Sequence, residues 1–484
     1  MRLGRTTLVH FGSQVVVSVA GFVATFAIVR LLGATELGVY AVGVAVVFWA
    51  NIPAAAVGDA VKQRVSARGD GDRYLFGGLA LVALPALLVG GVILALPGAV
   101  ESYLLREAER LAVTVPLAPL LAGVVVANML FTLLTDALQG EKRVAAAGAV
   151  TAVERLLRTG LQVGLVLASV GLAALFVGHV VATLLGAGLS LGLLGVARLS
   201  GDGPVLPTRE HLGSLLEYAR YSWLGTVETR AFSWMDTIVL SLFVSRDLIG
   251  IYEVSWSLAS VLALVAVSVQ NTLFPELSEL AAQGDTDRIH HFLDEGLVFT
   301  GVFIIPGLFG AAVVGERVLK IYDPVFQQGL VVLLVLVLAR GIAAYGRQLV
   351  SAINALDRPD VAFRISAAFI AVNLGLNLVL VFRFGWVGAA VATAVSATLI
   401  LALGYVALTR LIGRPPVPFR EIGLQVAAGG LMAGLLLLAR PVVPRNHYAT
   451  VALVLVGAAV YTGILVALSG RVREKAVGLV GTLG

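Results

Sequence analysis

Apolar residues run along this chain in blocks of about 20, each long enough to cross a hydrocarbon layer of about 30 Å. Polar residues are confined to the short intervals between blocks. The pattern predicts an all-α polytopic membrane protein with about fourteen transmembrane helices. The first six spans fall near 8–32, 38–58, 75–96, 112–136, 144–168 and 171–197. Six more lie near 217–243, 249–272, 292–314, 328–353, 361–383 and 386–409, and the last two near 418–439 and 447–469. Continuous apolar runs exclude a membrane β-barrel, whose strands alternate over about ten residues. The run after Arg2 and Arg5 reaches Leu32 without a small-residue cleavage site, so it reads as a first span and not as a removable signal.

The pattern also repeats. Gly38-Val39-Tyr40-Ala41-Val42 after the first span matches Gly250-Ile251-Tyr252-Glu253-Val254 after the seventh. Gly69-Asp70-Gly71-Asp72-Arg73 matches Gly284-Asp285-Thr286-Asp287-Arg288, and Val177-Gly178 with Val181-Ala182-Thr183 matches Val387-Gly388 with Val391-Ala392-Thr393. Three matches in one order at nearly constant offset predict two pseudo-symmetric six-helix lobes, with a binding site between them near mid-membrane. The expected divisions are an N-lobe over 1–198, a cytoplasmic linker over 199–216, a C-lobe over 217–411, and two extra C-terminal helices with a tail over 412–484. Gly201-Asp202-Gly203-Pro204 and Pro207 mark the linker, and Gly413-Arg414-Pro415-Pro416 marks the second break. In the second lobe, the helix after Gly250 is expected to end at Phe274-Pro275-Glu276-Leu277.

Composition sharpens the class. Hydrophobic residues make up 59% of the chain and charged residues 13%, the latter about half the share in a soluble domain. The net charge of +5 comes from residues spread over loops, which argues against a nucleic-acid partner. It fits the positive-inside rule, with Arg2, Arg5, Lys62, Arg64, Arg68, Arg73, Lys142, Arg143, Arg209, Arg358, Arg414, Arg471, Arg473 and Lys475 on the cytoplasmic side together with both termini. The chain has no cysteine, so thiolate chemistry and disulfides are excluded. It has no Walker loop, no H-E-x-x-H and no G-x-S-x-G, so nothing local points to ATP-driven pumping, intramembrane hydrolysis or a cofactor.

Charge inside the apolar blocks is the candidate chemistry. A charge at the centre of a membrane helix costs about 2.5–3.5 kcal/mol on insertion scales, so it persists only with a partner or beside a wet cavity. The fifth span carries Glu154, Arg155 and Arg158, the seventh Glu228, Arg230 and Asp236, and the tenth Arg340 and Arg347 two turns apart on one face. The eleventh carries Asn373 and Asn377 on one face. Five arginines against three acids predict a cationic cavity between the lobes, and guanidinium forks suit phosphate. The plainer alternative is that Glu154–Arg158 and Glu228–Arg230 are internal ion pairs joining helices. His10 and His179 read as packing histidines, His290-His291 lacks metal-ligand spacing, and Gly430-x-x-x-Gly434 allows close helix contact. Trp223 and Trp256 read as interfacial anchors, and Trp234, one turn past Arg230, either stacks on it or packs.

Several stretches together resemble the polysaccharide transporter branch of the multidrug/oligosaccharidyl-lipid/polysaccharide (MOP) flippase superfamily. They are Trp234-Met235-Asp236-Thr237-Ile238-Val239-Leu240, Ile249-Gly250-Ile251-Tyr252, Phe274-Pro275-Glu276-Leu277-Ser278 and Gly284-Asp285. Leu31-Leu32-Gly33-Ala34 through Tyr40, Ala137-Leu138-Gln139-Gly140 and Gly385-Trp386-Val387-Gly388-Ala389-Ala390-Val391-Ala392-Thr393 add to the likeness. The resemblance implies a non-enzymatic transporter that alternates access and moves polyprenyl- or dolichyl-linked oligosaccharide from the cytoplasmic to the outer leaflet of the cell membrane. Its implied partners are the lipid-linked glycan, membrane lipids, and a glycan polymerase or glycosyltransferases. The residues expected at its substrate, by placement and not by motif, are Arg155, Arg158, Arg230, Arg340, Arg347, Glu228, Asn373 and Asn377. Asp236 matches the family's usual acid at that place.

Three alternatives stand beside this reading. A cation-coupled multidrug exporter of the same superfamily needs a free buried carboxylate, with Asp59, Asp136, Glu228 and Asp236 as candidates near helix ends or arginines. A lipid II flippase shares the extra C-terminal pair, but Arg30 at the end of the first span has no acid beside it. A membrane glycosyltransferase needs a large outer loop, and the longest here runs only from about Pro97 to Leu111.

Overall fold

In the computed structural model the described residues are 21–67, 71–108, 111, 115–195 and 206–475, and they are almost wholly helical. The start of the first span with His10, the Gly69-Asp70 part of the first polar loop, the Gly201-Asp202-Gly203-Pro204 linker motif and the tail beyond residue 475 lie outside them. Two compact units are present, Met1–Gly250 and Ile251–Gly484.

The first unit holds α1 (Gly21–Leu31), α2 (Ala34–Ala50), α3 (Ile52–Ala67), α4 (Gly71–Ala95), α5 (Pro97–Leu104), α6 (Leu117–Gly140), α7 (Val144–Leu167), α8 (Ala173–Leu193) and α9 (Arg209–Phe243). The second holds most of α10 (Arg246–Leu262), then α11 (Leu264–Gln283), α12 (Thr286–Tyr322), α13 (Leu330–Ala355), α14 (Pro359–Ile412), α15 (Phe419–Ala439) and α16 (His447–Leu468). Eight helices among the described residues are long and apolar enough to cross a membrane, and ten spans result when two bent pairs count as one each. The longest, α14, breaks at Gly385, whose φ of 58° turns the chain between the eleventh and twelfth spans. By contrast, α7 is 24 residues long but carries Glu154, Arg155 and Arg158 near its middle.

In the first unit α6 is the most enclosed span, packed by α3, α4 and α8, and α9 lies along α2, α3 and α4. The outer loop expected between the third and fourth spans is largely the short helix α5. Glu101 on α5 accepts hydrogen bonds from the Leu117 and Ala118 amides, satisfying donors at the start of α6. Arg246, fully buried at the start of α10, donates to the carbonyls of Leu104, Tyr103 and Ser241.

The repeat is written into the backbone. Gly38 and Gly250, matched by sequence, lie against each other's helices: a Cβ on Gly38 would fall 1.7 Å from the Arg246 carbonyl oxygen, and one on Gly250 would fall 2.0 Å from that of Ala34. Neither position has room for any residue but glycine. The second and eighth spans also share a bend, of 48° between α2 and α3 and 43° between α10 and α11. The breaks at Asn51 and Ala263 lie equally far past Gly38 and Gly250.

The expected helix end at Phe274-Pro275 is corrected. The helix α11 continues through Pro275 to Gln283 and ends at Gly284, whose φ is 71°. Proline removes one backbone donor, but Leu273, Leu277 and Leu280 are buried along one face and hold the helix together across that gap.

In the second unit α12 packs on α11, α13, α15 and α16. The core around α15 and α16 joins Val313 and Val314 of α12 to Ala428, Met432, Leu436, Leu453 and Tyr461. Polar ties close both ends. Arg471 pairs with Asp294 and Lys475 with Glu295 at one end, while Arg440 pairs with Glu316 at the other. Arg317 there donates to the Arg440 and Val443 carbonyls. Large apolar side chains such as Leu87 and Leu438 remain 75% and 77% exposed, the surface that membrane lipid covers.

Candidate functional site

The first unit builds a polar stripe on α7. Ala147, Val150, Glu154, Arg158 and Gln162 recur at helical spacing and are all buried. Their side chains face α8, whose small residues allow close approach: a Cβ on Gly178 would lie 2.8 Å from Gln162 Cγ, and one on Gly186 would lie 3.1 Å from Glu154 Cβ. At the centre of the stripe Glu154 Oε1 accepts from Arg158 Nε at 2.9 Å, from Arg158 Nη2, and from Thr183 Oγ1 at 2.9 Å. Arg158 is 9% exposed and Glu154 2%. The sequence alternative of an internal Glu154–Arg158 pair is therefore what the side chains form.

One turn on, Gln162 Nε2 donates to Tyr40 Oη and to the Leu175 carbonyl, both at 2.8 Å. Tyr40 Oη lies 3.0 Å from His179 Nδ1, and Asn128 Nδ2 lies 3.4 Å from His179 Nε2. Each ring nitrogen of His179 thus has a partner, which fits the expectation of a packing histidine. Arg155 stands apart from this network. It is half-buried, its Nη2 lies 3.1 Å from where a Cβ on Gly21 of α1 would be, and its buried Nε has no hydrogen-bond partner.

Helix α9 carries Glu228, Arg230 and Asp236. The side chains of Glu228 and Arg230 lie outside the described residues, and Asp236 is buried at 6% exposure. Trp234 stacks on Phe48 with ring centroids 4.8 Å apart, the packing alternative.

In the second unit Arg340 and Arg347 lie half-buried on α13. The Arg340 guanidinium sits 5.0 Å from the Trp256 ring centroid, within cation–π range. Trp256, expected as an interfacial anchor, lies about 15 Å along α10, well into the span. Asn373 and Asn377 are buried inside α14: Asn373 Nδ2 donates to Ser396 Oγ at 3.3 Å, and Asn377 Nδ2 to the Asn373 carbonyl at 3.1 Å. The first of these bonds ties the two arms of α14 across the break at Gly385.

Each unit carries an arginine midway along a helix. Arg155 lies about 16 Å along α7 from its first residue, and Arg340 about 15 Å along α13, each near half the thickness of a bilayer core. Guanidinium groups at that depth offer donor forks to an anion in a medium that strengthens every charge interaction. No group of three or more metal-ligating side chains occurs among the described residues. The sequence missed Gln162, Thr183 and Arg246. Their partners come from distant segments, and only Gln162, eight residues past Glu154 on the same face, was open to detection by spacing.

Comparison with known proteins agrees with this architecture. A family model described as "Polysaccharide biosynthesis protein" matches residues 3–281, and one described as "Lipid II flippase MurJ" matches residues 235–458. The chain is 34% identical over 481 residues to the "Probable flippase AglR" of Haloferax volcanii, covering 98% of both chains. It is 26% identical over 439 residues to the "Probable low-salt glycan biosynthesis flippase Agl15" of the same organism, covering 90% of this chain and 89% of that one. Among solved structures, "Lipid II flippase MurJ, inward closed conformation" superposes with a TM-score of 0.76 at 14% identity, over 95% of this chain and 97% of that one. An inward-facing multidrug resistance MATE family transporter of the MOP superfamily gives 0.65 at 14% identity, over 81% of this chain and 95% of that one. These structural likenesses establish the fold. A family match over more than half of its length and a full-length relative at 34% identity show that the chain belongs to the polysaccharide biosynthesis protein family.

Proposed function

We propose that this protein translocates an oligosaccharide linked to a polyprenyl or dolichyl phosphate or diphosphate from the cytoplasmic to the outer leaflet of the cell membrane, by alternating access. The supporting observation is a coincidence: a full-length relative is named a probable flippase, and guanidinium groups stand midway along otherwise apolar helices. A phosphate leaving water needs donors to replace its hydration. Arg155, Arg230, Arg340 and Arg347 are the candidates for the phosphate, Arg158 being bound to Glu154, with Glu228, Asn373 and Asn377 for polar groups of the sugar.

In this reading 1–198 and 217–411 act as the two lobes, 199–216 links them, and both termini face the cytoplasm with the tail of 412–484. Glycosyltransferases building the glycan and a polymerase or transferase consuming it are the expected partners. Outward movement of negative charge follows an inside-negative potential worth about 2.3 kcal/mol per charge per 100 mV. A diphosphate with about two charges gains about 4–5 kcal/mol per 100 mV, enough to make a coupling ion dispensable.

The lipid II reading draws on the family match over residues 235–458. One experiment separates the two: delete the gene and identify which lipid-linked glycan accumulates on the cytoplasmic face. The proposal expects a polyprenyl- or dolichyl-linked oligosaccharide. Accumulation of a peptidoglycan precursor favours lipid II, and no accumulation of either removes the proposal.

A further inference from the structure

We infer that Arg155 is the anion-contacting arginine of the first unit, and that Arg158, one turn further along α7, is a structural partner of Glu154 with no part in recognition. The inference rests on the proposed phosphate-bearing substrate and sorts two residues that the sequence offered as equals.

Arg158 is committed. Two of its nitrogens donate to one oxygen of Glu154, and Thr183 of α8 donates to the same oxygen. The pair is almost sealed from its surroundings, with side chains 11% and 3% exposed. A phosphate reaching Arg158 would have to break a buried, charge-assisted pair and leave the Glu154 carboxylate without its cation.

Arg155 differs in each respect. Among the described residues no carboxylate lies within ion-pair distance of it, and its buried Nε has no partner. Glu154 is adjacent in sequence, but its bonded oxygen is taken by Arg158 and Thr183. The Arg155 guanidinium sits on another side of α7, against α1 at Gly21, with 3.1 Å between Nη2 and the place a Cβ would occupy. Any larger residue at position 21 would press on the guanidinium, so Gly21 makes the room in which it lies. The net charge this helix offers an anion is therefore one, carried by Arg155.

The test uses full-length protein in detergent and farnesyl phosphate, a short prenyl phosphate, as the probe. Arg155→Met is expected to weaken binding by about tenfold or more, the loss of one charge-assisted bidentate contact. The double variant Glu154→Met with Arg158→Met removes the pair without stranding either charge, and is expected to bind within about threefold of the unmodified protein. Gly21→Ala, which leaves every charge in place, should weaken binding by a few fold through displacement of Arg155, so the inference stays testable if Arg155→Met does not fold. Wild-type-like binding by Arg155→Met, or by Gly21→Ala where Arg155→Met does not fold, or a loss of about tenfold in the double variant, overturns the assignment while leaving the flippase reading intact. Failure of the unmodified protein to bind the prenyl phosphate counts against the phosphate-carrier reading itself, and the assignment falls with it.

Discussion

At the scale of single residues, the membrane interior forces each charge to show its partner. Glu154 and Arg158 were readable as a pair from their i,i+4 spacing, and the structure puts 2.9 Å between them. Removing one member strands the other. Glu154→Ala alone should cost about 3–5 kcal/mol of stability, while Glu154→Met with Arg158→Met should cost far less. Thermal or denaturant unfolding in detergent checks the contrast, and equal losses in both would show that the pair is not the unit described. His179 was harder to read. Its partners Tyr40 and Asn128 come from two other helices, 139 and 51 residues away, and no local spacing reveals them. Trp256 is hard to read for a related reason. A lone tryptophan in an apolar helix suggests an interfacial anchor until the Arg340 guanidinium is found over its ring. Trp256→Leu should therefore lower transport by about as much as a partial Arg340 defect, a few fold, if that contact sets the guanidinium. Unchanged transport would reduce the contact to packing.

At the scale of elements, the repeat was legible and its consequences were not. Short matched motifs fixed on Gly38 and Gly250 reported equivalent turns. They did not report that each glycine is occluded by the other's helix, nor that the following spans bend by 48° and 43° at equivalent points. Hydropathy sees an apolar run and is blind to a bend within it. The expected helix end at Phe274-Pro275-Glu276-Leu277 fails likewise: proline removes one donor, yet the buried leucines of α11 carry the helix on to Gln283. The crossing makes a sharp prediction. Gly38→Ala and Gly250→Ala each drive a Cβ into a carbonyl oxygen, at 1.7 Å and 2.0 Å before any adjustment. Each should destabilise the protein by at least about 1–3 kcal/mol, read as lower yield and melting temperature in detergent. Gly375→Ala, with nothing within reach of its Cβ, serves as the matched control and should be neutral or stabilising by up to about 1 kcal/mol.

At the scale of the whole molecule, membrane character is readable from block length because it follows from the thickness of the bilayer, and the family is readable through the resemblance of a few turn motifs. The substrate was less readable. An anion-binding arginine needs no fixed motif, only a position at depth and the absence of a competing acid. Sequence supplied the depth, and side-chain geometry supplied the difference between the two on α7: Arg158 is bound to Glu154, while the buried Nε of Arg155 has no hydrogen-bond partner. The close packing of α15 and α16 onto α12, tied by Arg471–Asp294 and Lys475–Glu295 at one end and Arg440–Glu316 at the other, makes the second unit larger than a six-helix repeat.

Translocation itself is the most direct measurement of the central claim. Purified protein in vesicles carrying a fluorescent prenyl-diphosphate oligosaccharide should move it between leaflets well above the rate in protein-free vesicles, faster when the potential draws negative charge across, and Arg155→Met should abolish most of that gain. Transfer no faster than in protein-free vesicles, or transfer unaffected by Arg155→Met, Arg340→Met and their combination, would contradict the account.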